Sequence, residues 1–284
     1  MLLLLTIKFA IAALVFATGL SATREDLFWI WRRPPLLTRS FLAMYILVPF
    51  VAIAITQAFD LPRGTKIGLL FLSISAGAPL LPRKLIKLGG DPAFAFSLVV
   101  ATSLAAILTV PVSLALLQPL LPIEVDVDAG RIAVTILKTF LLPLAAGMLL
   151  SIFDPDLVEQ LGDPLMRIAG ILLTICVLVV IVSSLGKIVA IGLPSMLAFA
   201  GLTLAALATG HWLGGPDEGQ RTSLAVACAT RHIGLALLIA ANAQGPTALA
   251  LVATYLFASA LVSIPYVRWR RRVANLSIPE GVSY

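Results

Sequence analysis

The sequence predicts an all-α polytopic membrane protein of nine transmembrane helices, built as an inverted repeat with two discontinuous helices at matching positions of its halves. Three observations carry that prediction. Apolar runs of about 18 residues or more recur along the chain, which has 60% hydrophobic residues, 12% charged residues and a mean hydropathy of +1.05. The runs are continuous rather than alternating, and this excludes a transmembrane barrel. A shift of about 156 residues lays the first half of the chain on the second. One membrane domain is expected over residues 1–284, with repeat one at about 1–118, repeat two at about 131–267 and a basic cytoplasmic tail at 268–284.

The first span is expected at about Leu2 to Ala22. A secretory signal peptide competes for the same residues, but a signal needs a basic region before its apolar core, whereas here leucines follow Met1 directly and Lys8 interrupts the core. Residues 23–39 carry Arg24, Arg32, Arg33 and Arg39 with Trp29 and Trp31, the composition of a basic interfacial stretch, and Pro34-Pro35 marks a turn. The remaining spans read as about 40–59, 66–82, 92–118, 131–152, 167–185, 191–214, 222–243 and 247–267. Short connections rich in Pro, Gly and Asp separate them, as at Asp60-Leu61-Pro62-Arg63-Gly64 and Gly214-Gly215-Pro216-Asp217. Cys176 and Cys228 both fall inside spans and form no disulfide or metal pattern.

Charge placement orients the chain. With nine alternating spans and the C-terminus inside, Arg24, Arg32, Arg33, Arg39, Arg83, Lys84, Lys87, Arg167, Arg221, Arg268, Arg270, Arg271 and Arg272 fall on the inner side. Arg63, Lys66, Arg131 and Lys187 fall on the outer side. This is a positive-inside bias for a cell-membrane protein with its N-terminus outside and its C-terminus cytoplasmic. The net charge of +6 belongs to that distribution and gives no reason to expect nucleic acid as a partner.

The repeat points to the centre. Span one lies on span six, two on seven, three on eight and four on nine, while span five has no partner. Any evenly spaced array of hydrophobic spans can be laid on itself, so the interruptions matter more than the spacing. Pro79 breaks the helical pattern of span three, and the shift places it on Leu235, next to Thr230-Arg231-His232-Ile233-Gly234 in span eight. Interrupted helices at matching positions of two halves are the sequence pointer to a solute site at the membrane midplane.

Arg231 is the sharpest candidate. It lies about 13 Å along its apolar segment, near the middle of a hydrocarbon core about 30 Å thick, where insertion of arginine costs about 2.5–3.5 kcal/mol. The carboxylates of the sequence fall in loops, loop edges or the tail, so a buried guanidinium there needs backbone carbonyls, water or an anionic solute. Thr230, Arg231 and His232 at the second break, Ser73, Ser75 and Pro79 at the first, and Thr102 and Ser103 on the following helix form the candidate cavity. Arg231, His232 and Lys84 are candidates for coupling or fixed charge. His232 has a side chain able to exchange a proton near neutrality, or simply to bond unwound backbone. The hydroxyls can equally bond back to their own helices. Lys138 and Lys8 can snorkel to the outer surface. No metal site and no cofactor are expected, and no phosphate-binding loop or paired aspartates support an enzyme.

The chain resembles the bile acid:sodium symporter superfamily. The resemblance rests on Gly77-Ala78-Pro79 followed by Gly90-Asp91, on Ile136-Leu137-Lys138 with Pro143, and on Arg221-Thr222 leading into Ala229-Thr230-Arg231-His232-Ile233-Gly234-Leu235-Ala236. It implies ten helices, or nine where the first is lost, with a core domain holding the crossing helices and a smaller panel made here of spans one, five and six. It also implies secondary transport of a small organic anion by alternating access. Sodium-coupled members carry a Ser-Asn pair after the first proline, a Glu in the second crossing helix and a Gln-Asn pair after it. Here the first pair is missing, Ala227 matches the Glu, and Arg231 and His232 match the second pair. Those departures remove expected sodium ligands and leave proton coupling and uniport as alternatives to sodium coupling. A membrane sensor that keeps the fold without moving a solute is the alternative.

Overall fold

A computed structural model describes residues 2–76, 85, 88–120, 129–231 and 247–276. All regular structure among the described residues is helical. Helix α1 runs Leu2–Ser21, and a short helix α2 (Arg24–Phe28) follows, its N-terminus closed by a capping box between Thr23 and Asp26. Helix α3 spans Pro34–Ala58 with a π segment at Leu42–Leu47. Helix α4 is Arg63–Ile74, α5 is Pro92–Leu117, and α6 occupies 129–153 with a π segment at Leu137–Leu141. Then come α7 (Pro155–Ser183), α8 (Leu185–Ile191), α9 (Leu193–Leu213), α10 (Glu218–Ala229) and α11 (Thr247–Leu276).

Local chemistry sets several of these boundaries. The expected turn at Pro34-Pro35 is instead the start of α3, because a proline in the first turn loses no helical hydrogen bond and has its φ already set. The two π segments each precede a proline, Pro49 and Pro143, whose missing N–H leaves an upstream carbonyl unpaired and loosens the turn before it. Asp91 caps α5, its carboxylate accepting the Phe94 N–H at 3.0 Å, and Asp217 caps α10 through the Gln220 N–H at 2.8 Å. The basic residues expected as a tail are carried on α11 itself as far as Leu276.

Among the described residues, five stretches are long and apolar enough to cross a membrane: Pro34–Ala58, Pro92–Leu120, Gln160–Ser183, Leu193–Leu213 and Ala250–Ala274. Leu5–Ser21 and Leu137–Phe153 are shorter apolar helices. Of the expected spans three and eight, the described residues form α4 and α10, each 12 residues long, or about 18 Å, and the remainder of each lies outside the described residues.

Two packing groups divide the helices. In one, α1 lies against α6 and α7, with Leu14 and Ala17 meeting Met166 and Ala169. A Cβ on Gly19 would strike the Leu144 carbonyl, and one on Gly147 would strike that of Phe16, so these two glycines let the α1 and α6 backbones touch. In the other group, α9 is the central post, packed against α3, α4, α10 and α11. The main core, including Phe71, Phe94, Phe199 and Leu224, fills the space around it. Short α2 closes onto α5, where the Ile30 N–H donates to Ser97 Oγ at 3.2 Å and the Trp29 ring packs tilted against Phe94.

Candidate transport site at the meeting of two half-helices

Helices α4 and α10 approach the centre from opposite ends of α9. The start of α4 lies beside the start of α9, where the Thr65 and Ser195 hydroxyls are 2.8 Å apart and buried. The start of α10 lies beside the end of α9, where Gly214 abuts Arg221 and Gly210 abuts Ala225. Both half-helices stop short, α4 at the non-helical cap Ser75 and α10 at the extended cap Thr230. Their C-terminal ends therefore face one another in the interior, and the contact between them is a hydrogen bond from Arg231 Nη1 to the Ser73 carbonyl at 3.3 Å.

The carbonyls at a helix C-terminus have no partner within the helix and must find one elsewhere. Two side chains supply it here: Arg231 reaches Ser73 O, and the Tyr255 hydroxyl donates to Ala229 O at 2.6 Å. The Tyr45 hydroxyl, from the π segment of α3, donates to the mid-helix Thr102 O of α5 at 2.7 Å. Tyr45, Tyr255 and Cys228 are near enough to the guanidinium to interact with it electrostatically. Arg231 is only 2% exposed, and its Nη2 has no hydrogen-bond partner among the described residues. A half-satisfied buried guanidinium is expensive unless something else completes it.

The other candidate residues fall around this junction. Ser73 and Ser75 are buried at the end of α4 and donate back to Leu70 O and Phe71 O, each at 2.7 Å. Thr102 is buried on α5 and bonds Leu98 O at 2.8 Å and Val99 O at 3.1 Å, and Ser103 is buried beside it. Thr230 is the cap immediately before Arg231. Pro79, Lys84 and His232 lie outside the described residues. Lys8 and Lys138 are exposed. Sequence reasoning missed Tyr45 and Tyr255. Their signal was a phenolic hydroxyl inside an apolar run, which must find an acceptor when buried.

A second polar cluster sits at the far end of α10. Arg270, 3% exposed, pairs with Glu218 at 2.7 Å, donates from Nε to Thr222 Oγ1 at 2.8 Å and from Nη2 to Glu218 O at 3.0 Å. Arg221 binds the same carboxylate at 2.9 Å and the Gly215 carbonyl at 2.5 Å. These contacts hold the Glu218 carboxyl below the usual carboxylate range, the hydrogen bond with Arg270 first among the causes. Ser223 ties the same end to the start of α5, accepting the Asp91 N–H at 2.9 Å and donating to Asp91 O at 3.1 Å. Next to this cluster, His211 Nδ1 lies 3.1 Å from the Tyr266 hydroxyl.

A multi-pass helical membrane protein whose two half-helices end against each other around a buried cation has the build of a carrier with a central solute site. The Sodium Bile acid symporter family model matches residues 8–191, and the chain belongs to that family, one of transporters rather than enzymes. It is 24% identical over 295 residues to the probable sodium/metabolite cotransporter BASS3, chloroplastic, of Arabidopsis thaliana, covering 97% of this chain and 66% of that protein. It is 27% identical over 269 residues to the probable sodium/metabolite cotransporter BASS2, chloroplastic, of Oryza sativa subsp. japonica, covering 91% and 62%. It is 29% identical over 208 residues to the probable sodium/metabolite cotransporter BASS6, chloroplastic, of Arabidopsis thaliana, covering 70% and 47%. The chain thus spans about half to two thirds of the length of the curated relatives it matches.

Proposed function

We propose that the chain is a secondary carrier for a small organic anion, working by alternating access about the α4–α10 junction, with proton coupling or uniport in place of sodium coupling. The observation that carries this reading is Arg231 Nη2, a charged donor buried at the meeting point with no partner among the described residues. A carboxylate entering there would accept a charge-assisted hydrogen bond, while Nη1 stays on Ser73 O. The two packing groups supply the moving parts. The α1, α6 and α7 group forms one wall, and the half-helices, held around α9, form the other. Family membership and the metabolite-cotransporter names of its relatives support transport as the activity.

Orientation in a cell membrane with the C-terminus cytoplasmic agrees with the clustering of Arg39, Arg221 and Arg270 at the end where α10 starts. The end of α4 that meets α9 carries the Thr65–Ser195 pair flanked by Arg63 and Lys66, two of the basic residues expected on the outer side.

The test is a thermal-shift screen of purified protein against small mono- and dicarboxylates and organosulfonates, with sodium or choline as counter-ion, at about pH 6 and pH 8. A ligand that binds only the folded state raises the apparent Tm. At least one anion is expected to stabilise the wild type and to lose that effect in Arg231→Ala. Stabilisation of both proteins alike would move the site away from Arg231, and stabilisation only in sodium would restore sodium coupling.

A further inference from the structure

The last turns of α11 present two opposite faces. One is turned inward by two contacts. Arg270 pairs with Glu218 at 2.7 Å, and Ala274 lies against Gly89, where an added Cβ would come within 2.7 Å of the Ala274 Cβ. Residues four apart share a helix face, so this pair fixes the rotation of the helix end. The opposite face carries Leu261, Ile264, Arg268, Arg271 and Arg272, joined by steps of three and four residues, and all five are exposed. Along it, apolar side chains give way to guanidiniums within about 10 Å of helix.

Two tryptophans mark the depth of that change. Trp269 is exposed beside the arginines with its ring 5.3 Å from His211, and Trp212, next to His211 at the end of α9, is exposed as well. Tryptophans at the edge of an apolar surface are characteristic of the membrane–water interface. Arg268, Arg271 and Arg272 have no carboxylate partner among the described residues, and Glu218, on the inward side, is taken by Arg270 and Arg221.

We propose that this face is a docking surface for an anionic phospholipid, with the phosphate-bearing headgroup among Arg268, Arg271 and Arg272 and the acyl chains along Leu261 and Ile264. Charge complementarity selects the headgroup. Guanidiniums match phosphate oxygens bidentately, and each basic residue just beyond a membrane span raises affinity for an anionic membrane surface about fivefold. The apolar half of the face selects a lipid over a free anion, because dissolved phosphate offers it nothing to bury. Arg270 has a part in this without touching the lipid. Spent inward, it aims its three neighbours outward. The surface is separate from the α4–α10 junction and stands whatever solute the junction carries.

The experiment titrates the detergent-solubilised full chain with phosphatidylglycerol or phosphatidylcholine in mixed micelles at low ionic strength and reads the apparent Tm. Phosphatidylglycerol is expected to raise it in a saturable way, and phosphatidylcholine to leave it unchanged. In the triple variant Arg268→Gln, Arg271→Gln, Arg272→Gln the half-saturating phosphatidylglycerol concentration is expected to rise about 100-fold. The matched control Lys8→Gln, Lys138→Gln, Lys187→Gln removes three exposed charges elsewhere and is expected to respond as the wild type does. Equal stabilisation by phosphatidylcholine, an unchanged response in the arginine variant or an equal loss in the lysine control would overturn the proposal. Inorganic phosphate reproducing the phosphatidylglycerol shift would overturn it too, since the acyl chains would then have no role. Should the triple variant yield no folded protein, native mass spectrometry counts the phosphatidylglycerol retained by Arg271→Gln, Arg272→Gln. Fewer retained lipids than in the wild type support the surface, and an equal number overturns it.

Discussion

Two arginines are buried to nearly the same degree and live under opposite conditions. Arg270 spends its donors on a carboxylate, a hydroxyl and a helix carbonyl, so the folded chain completes it. Arg231 has one carbonyl at 3.3 Å and a second nitrogen without a partner among the described residues. The first is a clamp between α10 and α11, whose value lies in stability. The second is a charge kept in apolar surroundings with part of its capacity open, and that is where a ligand makes the largest difference. A buried cation is informative according to what remains unsatisfied around it, not according to its depth.

Exchanging the two roles by mutation should separate binding from stability. Arg231→Ala is expected to weaken anion binding by about 10- to 100-fold, the loss of one charge-assisted hydrogen bond, as read by the anion-dependent Tm shift or by uptake into proteoliposomes. Equal anion responses in Arg270→Ala and Arg231→Ala would erase the distinction. Arg270→Ala should instead destabilise the protein by about 1–3 kcal/mol while leaving the anion response of the folded fraction intact, because it frees Glu218, Thr222 and the start of α10 together. Tyr255→Phe sharpens the picture at the junction itself. Removing the hydroxyl leaves Ala229 O without its donor and should cost about 1–2 kcal/mol, with a smaller change in anion affinity than Arg231→Ala, measured on the same preparations.

The smallest effect is a pH dependence at the clamp. The Glu218 carboxyl is held below its ordinary value in the folded protein, so its contribution to stability is present above the unfolded carboxylate pKa and is lost as pH falls through the folded one. Wild type should therefore exceed Glu218→Gln in apparent Tm near neutrality, and the gap should close on acidification from the normal carboxylate range downward. A gap that widened as pH fell would show that the carboxylate is not the clamp. Glu218 is half exposed, which keeps the effect modest.

The central site was legible in part. Arg231 stands out because a guanidinium in an apolar run is costly anywhere, and Pro79 and Gly234 mark interruptions by backbone chemistry alone. The half-helices were legible as broken spans, and α4 and α10 do end at Ile74 and Ala229. Arg270 was not legible. In sequence it is one of four arginines after Tyr266, indistinguishable from the exposed Arg268, Arg271 and Arg272. Its burial depends on Glu218 and Thr222, which lie 52 and 48 residues away. Tyr45 and Tyr255 were legible only as hydroxyls in need of acceptors, with nothing local to say which carbonyls they would meet.

The sequence by itself determined the class: apolar runs that must be helical in a bilayer, two places where the helix cannot continue, and a cation within one of them. These follow from single residues and from spacing along the chain, because the solvent and the backbone act on every segment independently. Only the tertiary structure decided that the C-termini of α4 and α10 meet at Arg231, and that Arg270 is spent while Arg231 Nη2 has no partner among the described residues. Those outcomes depend on which distant carbonyls and carboxylates arrive within about 3 Å of a donor, and only the path of the folded chain sets that.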